Sequence, residues 1–200
     1  MRKTLALIGS VLLTLSLSYK ASASIIPIEV RKGVSVSFEK YLEPSELADP
    51  ITVTGNFGFN RHLLLKCAYV TEEQRNILGG RYAFNEKMAV SFEHQWDDHT
   101  SSNRYGFAYK FTLSDRLDLA GLIEYQSKDI ALTGQAEYEF TEVITAYGGV
   151  EYTKPEQEDA AIDLLIGAEY RPLDIFSLYF DYLMPEEGDQ MVYFGLTYTF

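Results

Sequence analysis

The chain has 200 residues, 46% hydrophobic and 14% aromatic, with a formal charge of -12 from 29 acidic and 17 basic residues. That is enough for one domain, too aromatic for a disordered chain, and too acidic for a phosphate-binding nucleic-acid partner. One cysteine, Cys67, excludes an intrachain disulfide and any multi-cysteine metal site, and nothing in the sequence calls for a cofactor.

Arg2 and Lys3 precede an apolar stretch from Leu5 to Leu17, and Ala21-Ser22-Ala23 follows as a small-x-small cleavage site. The order is that of a secretory signal peptide, residues 1–23. The apolar run is too short for a transmembrane anchor, and no cysteine follows it to carry a lipid. Cleavage after Ala23 leaves 14 basic against 29 acidic residues. Residues 24–32 then form an N-terminal periplasmic segment. Their sequence is equally compatible with a place inside whatever residues 33–200 build.

From residue 33 onward apolar residues recur with period two. Val192, Phe194, Leu196, Tyr198 and Phe200 alternate with Tyr193, Gly195, Thr197 and Thr199. Tyr105, Phe107, Tyr109 and Phe111 alternate with Arg104, Gly106, Ala108 and Lys110. Successive strand side chains point to opposite faces, so each segment has one apolar and one polar or small face. Twelve such segments are predicted: 33–42, 50–59, 63–70, 77–84, 87–96, 103–112, 117–126, 129–140, 142–151, 160–171, 174–182 and 190–200. The first strand and the 63–84 pair carry the weakest alternation, so ten strands is the alternative count. Most are close to the ~9–11 residues that a tilted strand needs to cross a bilayer.

The aromatics repeat by hairpin. Phe59, Phe84, Phe111, Phe140, Tyr170 and Phe200 close the even-numbered strands at intervals of 25, 27, 29, 30 and 30 residues. Tight polar turns follow the first five. Tyr69, Trp96, Tyr125, Tyr152 and Tyr182 mark the opposite ends. Rings at both ends of an apolar face suit the two interfaces of a membrane. A secreted soluble barrel with the apolar face turned inward is the competing arrangement, but twelve strands enclose an interior wide for aliphatic filling. The prediction is an all-β, transmembrane, antiparallel up-and-down β-barrel.

The last strand, Tyr193-Phe-Gly-Leu-Thr-Tyr-Thr-Phe200, resembles the terminal assembly signal of Gram-negative outer-membrane β-barrel proteins, with Tyr198 and Phe200 as its signature rings. In size and strand number the chain is similar to small porin-like channels such as the acidic-sugar porins, and no motif fixes a subfamily. The resemblance implies an outer-membrane location, delivery by the barrel-assembly machinery, and lipid and lipopolysaccharide as surroundings.

If Phe200 and its partners face lipid, the opposite parity lines a pore. The acidic lining is then Glu39, Glu93, Asp118, Glu124, Glu137, Glu139, Glu151, Asp163, Glu169 and Asp181. The basic lining is Lys66, Arg81, Lys110, Arg104 and Arg171. A Lys or Arg on the lipid face at mid-membrane costs about 2–4 kcal/mol, and only Lys40 and His94 break the rule, each toward a strand end. Positive charge gathers on strands three to six and negative charge on strands seven to eleven. The expected function is passive diffusion of small hydrophilic solutes with a preference for cations. A salt-bridged, non-conducting structural barrel is the alternative. A third reading, a lipid A or phospholipid hydrolase, rests on His99-Thr100-Ser101 with Glu124 as orienting acid. Cys67 falls on the lipid face, an unpromising place for a reactive thiol.

Overall fold

The computed structural model describes residues 26, 28, 30, 32–42, 51–71, 74–156, 159–186 and 190–200. The predicted signal peptide lies outside the described residues, as does the 43–49 loop.

Twelve strands form the wall: β1 (Gly33–Leu42), β2 (Ile51–Gly58), β3 (Leu63–Val70), β4 (Arg75–Asn85), β5 (Met88–Trp96), β6 (Ser101–Ser114), β7 (Leu117–Gln126), β8 (Asp129–Thr141), β9 (Ile144–Lys154), β10 (Ala161–Leu173), β11 (Phe176–Met184) and β12 (Met191–Thr199). Each pairs antiparallel with its neighbours in sequence, and β12 closes onto β1. The closing register runs from Ser35 opposite Thr199 to Leu42 opposite Val192. The barrel thus has twelve strands rather than ten, and closure leaves no unpaired edge, which a bilayer-spanning sheet requires.

Several strands run beyond their apolar stretch. β6 begins at Ser101, opposite Trp96, and β4 begins at Arg75, opposite Val70. Ladder hydrogen bonds need only backbone, so polar residues extend the hairpins and shorten the loops. The turns alternate in character between the two ends. At one end, register shifts fall between Ala83 and Asn85, Thr112 and Ser114, Glu139 and Thr141, and Tyr170 and Leu173. These four irregularities sit just before tight turns, where bulges bend a barrel rim. At the other end β7 and β8 join through Ser127 and Lys128, both at positive φ (51° and 88°), the pairing a two-residue hairpin needs to match strand twist.

The hydrophobic arrangement is inside out. Ile123, Phe140, Ile166 and Leu173 are each more than half exposed, and they belong to a belt that continues around the wall through Phe57, Leu78, Phe92, Phe107, Leu132, Val150 and Phe194. Soluble monomers rarely carry apolar patches above a few hundred Å², so this belt calls for an apolar solvent. The rings bank at both rims: Tyr69, Trp96, Tyr125 and Tyr152 at one, Phe59, Tyr82, Phe84, Phe111, Phe140 and Tyr198 at the other, all exposed, while Tyr182, expected at the first rim, is half-buried with its hydroxyl on Gln190. Edge-to-face pairs tie Tyr138 to Phe140 and Tyr198 to Phe200, with ring centroids 4.9 and 4.7 Å apart.

The interior is polar and mixed with small residues. Among the described residues an apolar cluster unites Ile26, Ile28 and Val30 with Ala83, Ala89, Ala108 and Ala120, flanked by Leu64 and Leu122. The first three precede β1 and are 2%, 2% and 6% exposed, so these three residues lie within the barrel. Burying three such side chains contributes roughly 1.5–3 kcal/mol each.

Candidate functional site

Every charged residue expected on the lining stands on the parity opposite the exposed apolar belt. All are buried or half-buried except Glu139, which is exposed near the turn-end rim. Cys67 is exposed on the outer surface. His94 also points outward, where its Nδ1 meets Asn103 Oδ1 at 2.9 Å and its ring stacks on Trp96.

Strand register arranges the interior charges in rows across the wall. One row runs Asn56, Lys66, Gly79, Glu93, Arg104 and Gln126. Within it Lys66 Nζ donates to Glu93 Oε1 at 2.7 Å and Arg104 Nε donates to Gln126 Oε1 at 2.7 Å. Gln126 in turn donates to Ser102 Oγ at 3.0 Å. A second row runs Asp118, Glu137, Tyr147, Gly167, Asp181 and Tyr193. The Tyr147 hydroxyl donates to Asp181 across Gly167. A third carries Glu169, Tyr179, Gly195 and Glu39, with the Tyr179 hydroxyl donating to Glu39 Oε2 at 2.6 Å. The Lys66–Glu93, Tyr147–Asp181 and Tyr179–Glu39 bridges each cross a glycine, at 79, 167 and 195. A Cβ on Gly195 would lie 2.0 Å from Tyr179 Cζ, and one on Gly167 would lie 2.3 Å from Tyr147 Cε2. Glycine here is a gap over which a long side chain lies flat.

Two further ion pairs occupy the turn end: Lys110 with Asp118 at 3.5 Å, and Arg171 with Glu169 at 2.6 Å. Glu151 accepts from Thr133 and Thr153, and Glu137 accepts from Gln135. The sign segregation read from the sequence is therefore partly neutralised along the wall. Positive groups on β3, β4 and β6 have acids on β5 and β7 within reach, in addition to those across the lumen.

A cavity of about 500 Å³ opens at the turn end. Lys32, Lys66, Arg81, Lys110, Arg116 and Arg171 line it beside Asp115, Asp118, Glu137 and Glu139. Ile26 and Ile28 form its apolar side. A smaller cavity of about 170 Å³ at the loop end is bounded by Arg75, Gln95, Trp96, Asp97, Thr100, Ser102 and Gln126. The seating of Ile26, Ile28 and Val30 is the element that the strand pattern does not specify. Its signal is the alternation of three aliphatics ahead of β1, facing small residues at 83, 89 and 108.

The hydrolase arrangement does not assemble. Ser101 shares the outward parity of Tyr105, while Glu124 belongs to the inward row with Gly106. The backbone amides of His99 and Thr100, and the Thr100 hydroxyl, instead donate to Asp97 at 2.7, 2.7 and 2.8 Å. Those bonds fold the short loop between β5 and β6.

A closed twelve-stranded antiparallel barrel with an apolar exterior and a charged interior has the fold of the outer-membrane porins. The chain is similar to a KdgM porin (16% identity, 83% of this chain and 99% of that one, TM-score 0.70) and to a NanC porin (8% identity, 84% and 100%, TM-score 0.64). It is also similar to the CymD monoaromatic hydrocarbon channel (9% identity, 86% and 89%, TM-score 0.60). No protein-family model matches, and no curated protein sequence matches.

Proposed function

We propose that the protein is an outer-membrane channel for passive diffusion of small hydrophilic solutes, with a preference for cations. The observation that carries this is the inverted barrel: an apolar, ring-capped exterior around an interior of ionised side chains. A hydrated, charged lumen crossing an apolar layer lowers the barrier for polar solutes, and its fixed charge sets their sign. The predicted lining has ten carboxylates against five cationic groups, and among the described residues Asp115, Lys32 and Arg116 join them at the turn-end mouth. Three of the cationic groups are held in the pairs Lys66–Glu93, Lys110–Asp118 and Arg171–Glu169, and the lining as a whole stays net acidic.

The outer-membrane assignment draws on the porin fold and on the resemblance of the terminal strand to a barrel-assembly signal. Tyr198 and Phe200 stand on the lipid-facing parity of that strand, available to the assembly machinery and then to lipid and lipopolysaccharide. The signal-peptide reading of residues 1–23 supports export. Residues 33–200 are the barrel, with both ends of the chain on the periplasmic side.

The basic groups at the turn-end mouth favour a second reading, uptake of small anionic solutes. One structural neighbour is described as a KdgM porin in complex with disordered oligogalacturonate, with 16% identity and a TM-score of 0.68. Reversal potentials across planar bilayers under a salt gradient separate the two. The cation reading predicts a potential of cation-selective sign, and the opposite sign gives the anionic reading. Neutralising Glu124 and Asp181 together as Gln and Asn should reduce the cation preference.

A further inference from the structure

We infer that Ile26, Ile28 and Val30 form a built-in constriction of the channel, docked in the lumen by an apolar seat. This rests on the channel reading above. The seat is a row of three alanines, Ala83, Ala89 and Ala108, directly opposite one another on β4, β5 and β6. In register the row continues through Leu122 to Thr133, Glu151 and Asp163, climbing from the turn end of β4 to the loop end of β10. Along this row the part on β4 to β6 is small and apolar, and the part on β8 to β10 is polar. A methyl-lined patch within a charged, hydrated lumen exposes apolar surface unless something covers it. Here the occupant is the protein's own chain.

The occupant matches the seat. Alternate positions 26, 28 and 30 are aliphatic, so an extended chain would present them on one face. All three join the buried cluster with the alanines. The Ile26 backbone amide also donates to Gln135 Oε1 on β8 at 3.2 Å, which fixes the stretch against a strand beyond the alanine row. Ile26 and Ile28 then border the turn-end cavity. The free space left is that between this stretch and the charged groups of the wall. Among the described residues the contacts include side-chain packing on methyl groups and the bond to the Gln135 side chain, and the strand ladder of the wall closes without them. Such a contact releases without opening the barrel.

The test replaces Ile26, Ile28 and Val30 together by Asp in the full chain and compares single-channel conductance with the parent. A second variant, Ile26→Val with Ile28→Leu and Val30→Ile, keeps the face apolar. Heat-modifiable gel migration establishes that each barrel is folded. Carboxylates disfavour the alanine seat, so the triple Asp variant should conduct several-fold more than the parent while the aliphatic variant stays at the parental level. Parental conductance in the triple Asp variant overturns the constriction and leaves the channel standing. An increase in both variants also overturns it, because the effect would not follow apolar seating. Absence of conductance in every folded form overturns the channel reading itself, and the constriction with it.

Discussion

Lys66 on β3 and Glu93 on β5 form an ion pair at 2.7 Å although β4 runs between their strands. The residue beneath the pair is Gly79, which is opposite Lys66 on one side and Glu93 on the other. A Cβ there would lie 2.7 Å from the Phe92 carbonyl oxygen and 2.8 Å from Glu93 Cγ. The carbonyl belongs to the wall and yields little. Gly79→Ala should therefore destabilise the barrel by about 1–3 kcal/mol, the usual range for overpacking, and separate the pair. The midpoint of urea unfolding in lipid vesicles measures this, and an unchanged midpoint would show that the bridge does not need the gap.

The outer belt makes a depth-dependent prediction. Ile166 lies in the middle of β10 and is 57% exposed. Ile166→Arg should lower stability in a bilayer by about 2–4 kcal/mol, the cost of a guanidinium at the midplane. The same substitution in detergent micelles, where the headgroup layer adapts, should cost less. Equal effects in the two media would mean that Ile166 does not meet a bilayer core.

The hairpin turn between β7 and β8 stores backbone strain. Lys128 has φ 88°, and for a residue with a Cβ the left-handed region costs roughly 1–2 kcal/mol. Lys128 also pairs with Glu156 at 2.9 Å, but both side chains are largely exposed, where such pairs contribute little. Lys128→Gly should raise stability by about 0.5 kcal/mol, the strain relieved less the pair lost and the entropy of glycine. Comparison of unfolding midpoints for the parent and Lys128→Gly measures it.

The loop between β5 and β6 has a specific acid sensitivity. The backbone amide of His99, then the hydroxyl and amide of Thr100, donate to Asp97 and hold its carboxyl below the ordinary Asp range. A group whose folded pKa is depressed stabilises its surroundings above the unfolded pKa and loses that effect as pH falls through the folded value. The loop should stay ordered at neutral pH and loosen only below about pH 3.9, the unperturbed Asp value. Amide hydrogen exchange at Thr100 as a function of pH checks this. Asp97→Asn, which keeps an acceptor oxygen without the titration, should flatten the profile.

Strand positions, parity and charge placement were legible because each depends on local alternation. Ile130, Leu132 and Tyr138 are half-exposed on β8, while Thr133 and Gln135 are buried, as period two requires. The ends of β4, β6 and β10 were less legible. Arg75, Ser101 and Leu173 join the ladder through backbone pairing that leaves no mark on side-chain pattern. Partner choice inside the lumen was not legible at all. The Tyr179–Glu39 bond spans 140 positions of sequence, and it depends on β12 closing onto β1 with Gly195 in the gap. The docking of Ile26, Ile28 and Val30 depends likewise on four strands bringing alanines together. Isolated alanines in four separate segments carry no signal until register aligns them.

The account turns on a water-filled, charge-lined lumen crossing an apolar layer. Proteoliposomes containing the folded barrel, placed in an isosmotic solution of a small neutral sugar, test it most directly. The account predicts that they swell faster than protein-free liposomes, and faster still with the Asp variant at positions 26, 28 and 30. Swelling no faster than the protein-free control, with the barrel inserted and folded, would contradict it.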